Sequence, residues 1–154
     1  MFNFLGIKLA KLKKPETSKQ LATAIAKICE NKLAENTIVI DLTKIDTAPT
    51  DFFVICSCNS QPQVGAIIDE IYKYCNLVDL DKPRCEGLEV KEWVLVDFFD
   101  VIVHIMLDKS RKYYQIEKLW ADGIFYTLGE AGRLKKLDQS LIFDLFLSSN
   151  GEIE

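Results

Sequence analysis

The chain has 154 residues, 49% of them hydrophobic and 27% charged, with a formal net charge of −4. Those proportions fit one compact domain with a real core, and no window approaches the roughly 18 uninterrupted apolar residues of a membrane span. Five cysteines, an odd number without an export signal, point to reduced thiols and a cytoplasmic setting. The charge is uneven. The first 14 residues carry Lys8, Lys11, Lys13 and Lys14 and no acid, which leaves the rest at a net of −8. An acidic body is a poor match for nucleic acid, whose phosphates draw clustered Lys and Arg. It suits a basic protein partner better, although a merely soluble surface has the same composition.

Residues 1–16 read as an N-terminal extension ending near Pro15. Phe2, Leu5, Leu9 and Leu12 alternate with lysines, a pattern open to a loose tail or to a short amphipathic helix at a membrane surface or in an organelle address. No cleavage-site pattern follows an apolar stretch, so no secretory signal is expected. A helix is predicted from Thr17, with Gln20 placed for a capping box and Leu21, Ala24, Ile25 and Ile28 at helical spacing. Thr37–Leu42 (TIVIDL) reads as a buried strand, and Asp51–Ser57 (DFFVICS) as a second, after a loop through Pro49. Asn59 or Ser60 then caps a helix with Pro62 in its first turn and Val64, Ile67, Ile68, Ile71 and Cys75 as its apolar stripe. Strand–helix–strand alternation of this kind predicts an α/β class. Pro83–Gly87 is a short extended piece. A last helix is expected from Ser110 to about Ala121, with Tyr113, Ile116, Glu117 and Trp120 on one side, ended by Asp122-Gly123. Residues 123–154 form a C-terminal extension, in which Leu141–Leu147 is apolar but reads neither as strand nor as helix.

Between these lies EWVLVDFFDVIVHIML, Glu92–Leu107, a hairpin that holds the only histidine of the chain. A two-residue loop at Phe98-Phe99 sets Trp93 opposite His104, Leu95 opposite Ile102 and Asp97 opposite Asp100. A three-residue loop shifts these pairs. Side chains alternate faces along a strand. One face is a uniform core of Val94, Val96, Val101, Val103, Ile105 and Leu107. The other is mixed: Trp93, Leu95, Asp97, Asp100, Ile102, His104 and Met106. Mixed apolar faces with Trp and Met are common at protein interfaces. His104 is therefore expected in a partly exposed patch with Trp93, the competing reading being a satisfied histidine under a helix or tail.

Signals for chemistry are sparse. Cys56 and Cys58 stand two apart on a strand, not at zinc-knuckle spacing, and no second cluster completes a ligand set, so no metal is expected. No phosphate-cradling glycine loop is present. Asp97 and Asp100 flank a turn, where acids are usually solvated, although a divalent ion remains a formal alternative there. A Cys–His nucleophile pair has no supporting signature.

In order, Asp51–Ser60, Gln63-Val64, Glu86-Gly87, Trp93–Asp97, Asp100–His104, Arg111–Tyr114 and Leu119-Trp120 resemble the Iojap family, the ribosomal silencing factors. The resemblance runs from about Thr17 to Asp122 and sets the bounds of a 17–122 domain. It implies a two-layer mixed sheet with helices, nucleotidyltransferase-like, without the catalytic acids. It implies a non-enzymatic repressor of translation with no cofactor. Such a factor binds the large ribosomal subunit through ribosomal protein L-fourteen, obstructs joining of the small subunit and aids large-subunit assembly, and is a homodimer when free. No direct nucleic-acid contact and no membrane are expected. Trp93, Leu95, Asp97, Asp100 and His104 are the candidate contact residues by this analogy, and Tyr113, Tyr114 and Trp120 weaker ones. The family pattern has Gly where this chain has Cys58 and Phe99. The alternative function is a nucleotidyltransferase-like enzyme that retains nucleotide binding. Its Gly-Ser pair is replaced by Cys58-Asn59-Ser60, and Asp69-Glu70 are adjacent rather than alternating.

Overall fold

A computed structural model describes residues 12–138, 140, 141 and 144. The proposed amphipathic run through Phe2, Leu5 and Leu9, and most of Leu141–Leu147, lie outside these residues. Leu12 packs against the main core.

The chain folds as a mixed α/β structure around one seven-stranded sheet. In chain order the strands are β1 (Glu35–Asp41), β2 (Phe52–Cys58), β3 (Arg84–Glu86), β4 (Trp93–Asp97), β5 (Val101–Leu107), β6 (Ile124–Leu128) and β7 (Leu134–Lys136). Their spatial order is β3-β4-β5-β2-β1-β6-β7. Among the described strands β2 and β5 run parallel, and the other neighbours are antiparallel. Parallel pairing needs a crossover, and the helix α2 (Gln61–Leu77) lies within that connection.

Capping sets the two long helices. In α1 (Ser18–Asn31) the Thr17 hydroxyl accepts from the Gln20 amide at 3.1 Å, and Gln20 Oε1 reaches back to the Glu16 amide at 2.7 Å. Ser60 does the same for α2, accepting from the Gln63 amide at 3.3 Å, while Gln63 Oε1 takes the Asn59 amide at 2.8 Å. Each Thr or Ser cap with Gln three residues on thus satisfies donors that a helix start leaves open. Both helices bury their apolar stripes on one sheet face, against Val39, Val54, Cys56, Val94, Val96, Val101, Val103 and Ile105. Burial pushes the Cys75 thiol up to about 11. Cys56, Cys58 and Cys29 are likewise buried free thiols; a hydrogen bond with Cys29 and burial hold Cys56 well above the usual thiol range, and a hydrogen bond with Cys56 and burial do the same for Cys58. They fill core volume.

The expected helix over Ser110–Ala121 is two short pieces, α3 (Asp108–Tyr114) and α4 (Ile116–Leu119), broken where Gln115 takes left-handed backbone at φ 48° and ψ 51°. The break has a physical purpose. In a continuous helix Arg111 and Glu117, six residues apart, would sit about 120° apart around the axis. Here Arg111 Nε donates to Glu117 Oε1 at 2.7 Å, with both side chains buried. Arg111 Nη1 also donates to the Asn36 carbonyl at 2.6 Å and to Ser57 Oγ at 3.0 Å, tying α3 and α4 to the irregular start of β1 and to β2. Tyr113 does not share the buried side with Ile116 and Glu117: it is exposed.

The sheet continues past the expected domain boundary at Asp122. Strand β6 pairs with β1, and β7 with β6, so residues 124–136 extend the same sheet rather than hanging from it.

Candidate functional site

Among the described residues the second sheet face is only partly roofed. Ile38, Ile40, Leu42, Phe53, Ile55, Met106, Ile116 and Phe125 form a smaller core there, with Ile45, Ala48 and Trp120 packed on it. That roof lies over β1, β2 and β6. Over β4 and β5 the side chains of Trp93, Leu95, Asp97 and Ile102 are half-buried, with exposed Tyr114 of α3 against Trp93 and exposed Tyr113 against Tyr114.

The hairpin register differs from the expected one. Trp93 lies opposite Met106, Leu95 opposite His104 and Asp97 opposite Ile102. The two-residue turn is Phe99-Asp100, closed by the Phe98 amide donating to the Val101 carbonyl at 2.9 Å. Of the two turn residues only Phe99 has a positive φ, 77°, which is the type II′ pattern and one that favours glycine at that position. Tertiary contacts fix this choice. The Thr50 hydroxyl donates to the Phe99 carbonyl at 2.7 Å, and the Asp51 and Phe52 amides both reach the Asp100 carbonyl at 3.1 Å. Asp97 Oδ1 accepts from the Phe99 amide at 2.7 Å, so this acid supports the turn. Asp97 and Asp100 are not a cross-strand pair.

A shift of two residues in register preserves which face each side chain takes. Val94, Val96, Val101, Val103 and Ile105 are fully buried under the helices as expected. Trp93 and His104, although diagonal, meet as expected: Trp93 Nε1 donates to His104 Nδ1 at 3.1 Å. This bond sets the histidine tautomer, leaving the proton on Nε2 when the ring is neutral.

His104 itself is not in a partly exposed patch. It is 5% exposed, with the Phe53 ring edge-on at 4.5 Å between centroids. Trp93 covers it from one side, and Tyr114 in turn packs on Trp93, the rings tilted at 46° with centroids 4.8 Å apart. Burial pushes its pKa from 6.5 down to about 4, since desolvation disfavours the cation. Nε2 meets no hydrogen-bond partner among the described residues. The histidine is a half-satisfied core group beneath an aromatic rim.

Of the five candidates, then, Trp93, Leu95, Asp97 and His104 share one face of β4 and β5, and Asp100 stands exposed at the end of the hairpin. The aromatic rim from α3 is not legible as a group in the sequence, because Tyr113 and Trp120 fall at a helical spacing that also fits a core stripe. The Glu86-Gly87 motif does carry a signal: at φ 89° a Cβ on Gly87 would collide with the Trp93 carbonyl oxygen. Only glycine lets the segment before β4 cross so close. Among the described residues no group of three or more His, Cys, Asp or Glu could hold a metal ion. Glu70, one of the adjacent acids on α2, is buried on the helical side and ion-paired to Lys32 at 3.3 Å and Lys73 at 3.5 Å.

These features define a class: a mixed α/β domain whose sheet is covered by helices on one face and rimmed with aromatics on a half-open second face. The model of the family "Ribosomal silencing factor during starvation" (RsfS) matches residues 15–141. The chain is 38% identical over 104 residues to the ribosomal silencing factor RsfS of Bacillus subtilis, covering 68% of this chain and 87% of that protein. It is 34% identical over 74 residues to the mouse protein named mitochondrial assembly of ribosomal large subunit protein 1, covering 46% of this chain and 32% of the mouse protein. A crystal structure from Bacillus halodurans superposes with a TM-score of 0.58 at 36% identity, over 66% of this chain and 94% of that one. The chain belongs to the RsfS family of ribosomal silencing factors.

Proposed function

We propose that the protein is a ribosomal silencing factor that docks on the large ribosomal subunit through ribosomal protein L-fourteen. Bound there, it obstructs the small subunit and represses translation. The observation that carries this reading is the half-open face of β4 and β5, where Trp93, Leu95 and Ile102 sit half-buried beside exposed Tyr113 and Tyr114. A Trp and Tyr cluster flanked by carboxylates suits a basic protein surface: the rings supply contact area, and Asp97 and Asp100 supply charge. The same face serves a second copy of the chain when the subunit is absent, giving a homodimer. The family names support the ribosomal setting, and the mouse relative's name supports an added role in large-subunit assembly. The role requires no catalysis: His104, the only histidine, is spent on packing and on a bond to Trp93.

Sucrose-gradient sedimentation with isolated subunits tests the reading. The protein should travel with large subunits and not with small ones, and should lower the yield of joined ribosomes when both are mixed. Migration at the top of the gradient at low salt, with subunit joining undisturbed, overturns it.

A further inference from the structure

On the helical side of the sheet, away from the aromatic face, the acidic character of the molecule reverses. A groove of about 1040 Å³ runs between residues 12–17, α1 and the Gly129–Leu134 turn that joins β6 to β7. Lys13, Lys14, Lys19, Lys27 and Arg133 line it. None of these five cations takes part in an ion pair among the described residues; the ion pairs of the fold lie elsewhere. Two acids, Glu16 and Glu30, also line the groove. Burial raises the Glu30 carboxyl above its ordinary value, and the five cations outnumber the two acids. Lys135 and Lys136 add nothing specific, because lysines on an edge strand such as β7 commonly guard against stray pairing.

Two of the groove cations are placed by their surroundings. Lys19 Nζ lies 4.9 Å from the centroid of the Tyr126 ring, a cation–π contact that holds this side chain in place. Lys27 crosses the Gly132 backbone so closely that a Cβ at Gly132, where φ is 68°, would lie 2.6 Å from Lys27 Cε. Glycine at that point leaves the lysine its path. Lys19 and Lys27 are eight residues apart on α1, about 12 Å along the helix axis. That is the span of an extended run of negative charges rather than of one small anion.

We propose that this groove binds the phosphodiester backbone of structured RNA. It gives the protein a second, electrostatic contact on the side opposite its aromatic face. The choice of RNA over other polyanions rests on the proposed docking to the large subunit, where RNA is the polyanion a docked protein meets. The net charge of the chain hides the groove, because its excess acids lie on the rest of the surface.

Fluorescence anisotropy of a short labelled RNA hairpin against the full-length protein, over a range of salt, tests this. Each phosphate neutralised contributes about −0.9 to the slope of log K against log salt, so five cations predict a slope of about −4.5 and roughly a 500-fold weakening between 50 and 200 mM salt. Lys19→Gln with Lys27→Gln should reduce the slope to about −2.7, leaving roughly a 40-fold weakening. A second variant, Lys13→Gln with Lys14→Gln, lies outside every helix and strand and should give the same reduction without touching α1. The control, Lys44→Gln with Lys118→Gln, should keep the full slope. Equal slopes for the groove variants and the control overturn the proposal. So does preference for phosphatidylglycerol vesicles, which would make the groove a membrane contact, or for polyglutamate, which would make it a site for an acidic protein segment. Because the probe is isolated RNA, failure here leaves co-sedimentation with the subunit through the aromatic face untouched, and failure of co-sedimentation leaves this assay standing.

Discussion

His104 shows how burial converts one residue into a property of the whole chain. Its folded pKa is about 4 against an ordinary 6.5, with desolvation as the cause. The sign comes from proton binding. Between these values the unfolded chain takes up a proton that the folded chain refuses, so acid favours unfolding. The stability tied to a neutral His104 is complete above about pH 6.5 and is lost progressively as pH falls toward 4. At pH 5 the loss amounts to about 2 kcal/mol. Thermal denaturation at pH 7.5 and pH 5 should therefore show a fall for the native chain that His104→Gln largely lacks, since a glutamine oxygen can still accept from Trp93 and carries no titrating group. An equal fall in both proteins would assign the acid sensitivity to carboxylates instead. The sequence places this histidine beside Trp93 but not under it, because exposure depends on Phe53 and Tyr114, which come from two other elements.

At the level of elements, the features readable in the sequence are those that local chemistry decides. Thr17 with Gln20 and Ser60 with Gln63 announce α1 and α2, and the alternating valines of β4 and β5 announce a buried face. The unreadable features depend on partners distant in the chain. The hairpin turn sits one residue later than expected because Thr50, Asp51 and Phe52 grip the carbonyls of Phe99 and Asp100. The helix after β5 breaks because Arg111 must meet Glu117, Ser57 and the Asn36 carbonyl together. Strand β6 is not among the expected elements, although Phe125, Tyr126 and Thr127 have strand character. Its place in the sheet is set by β1, more than 80 residues earlier in the chain, and the family resemblance ends at Asp122, just before it begins. The Arg111–Glu117 pair gives the sharpest stability test. Removing one partner of a buried pair leaves an uncompensated charge, so Glu117→Ala should cost about 3–5 kcal/mol. Replacing both, as Arg111→Met with Glu117→Leu, should cost clearly less, because no buried charge is then stranded. Urea denaturation of the two variants decides. A double variant as unstable as the single one would mean that the bonds to Ser57 and Asn36, rather than the ion pair, hold α3 in place.

For the whole molecule, the division of labour between the two sheet faces can be tested at Trp93. The opposite face of its own strand carries fully buried Val94 and Val96 under the helices, so a change at Trp93 leaves the main core intact. Trp93 belongs to the smaller cluster and is only half-buried there. Truncation of a fully buried Trp costs about 3–5 kcal/mol; a half-buried one should cost the fold less, about 2 kcal/mol, including the lost bond to His104 and the lost ring contact with Tyr114. An interface tryptophan truncated to alanine costs about 2 kcal/mol or more of binding, roughly thirtyfold in affinity. Trp93→Ala should thus remain folded at room temperature, with a modest drop in melting temperature, and bind the large subunit about thirtyfold more weakly. Leu95→Ala on the same face should weaken binding in the same direction with less effect on the fold, because it removes a smaller, half-buried side chain. Dimerisation measured by sedimentation equilibrium adds the last distinction. If the two partners share the face, dimer and subunit affinity fall together. If dimerisation alone falls, the aromatic face serves the second copy and the subunit contact lies elsewhere. If a folded Trp93→Ala protein keeps both, the half-open face of β4 and β5 is not where either partner sits.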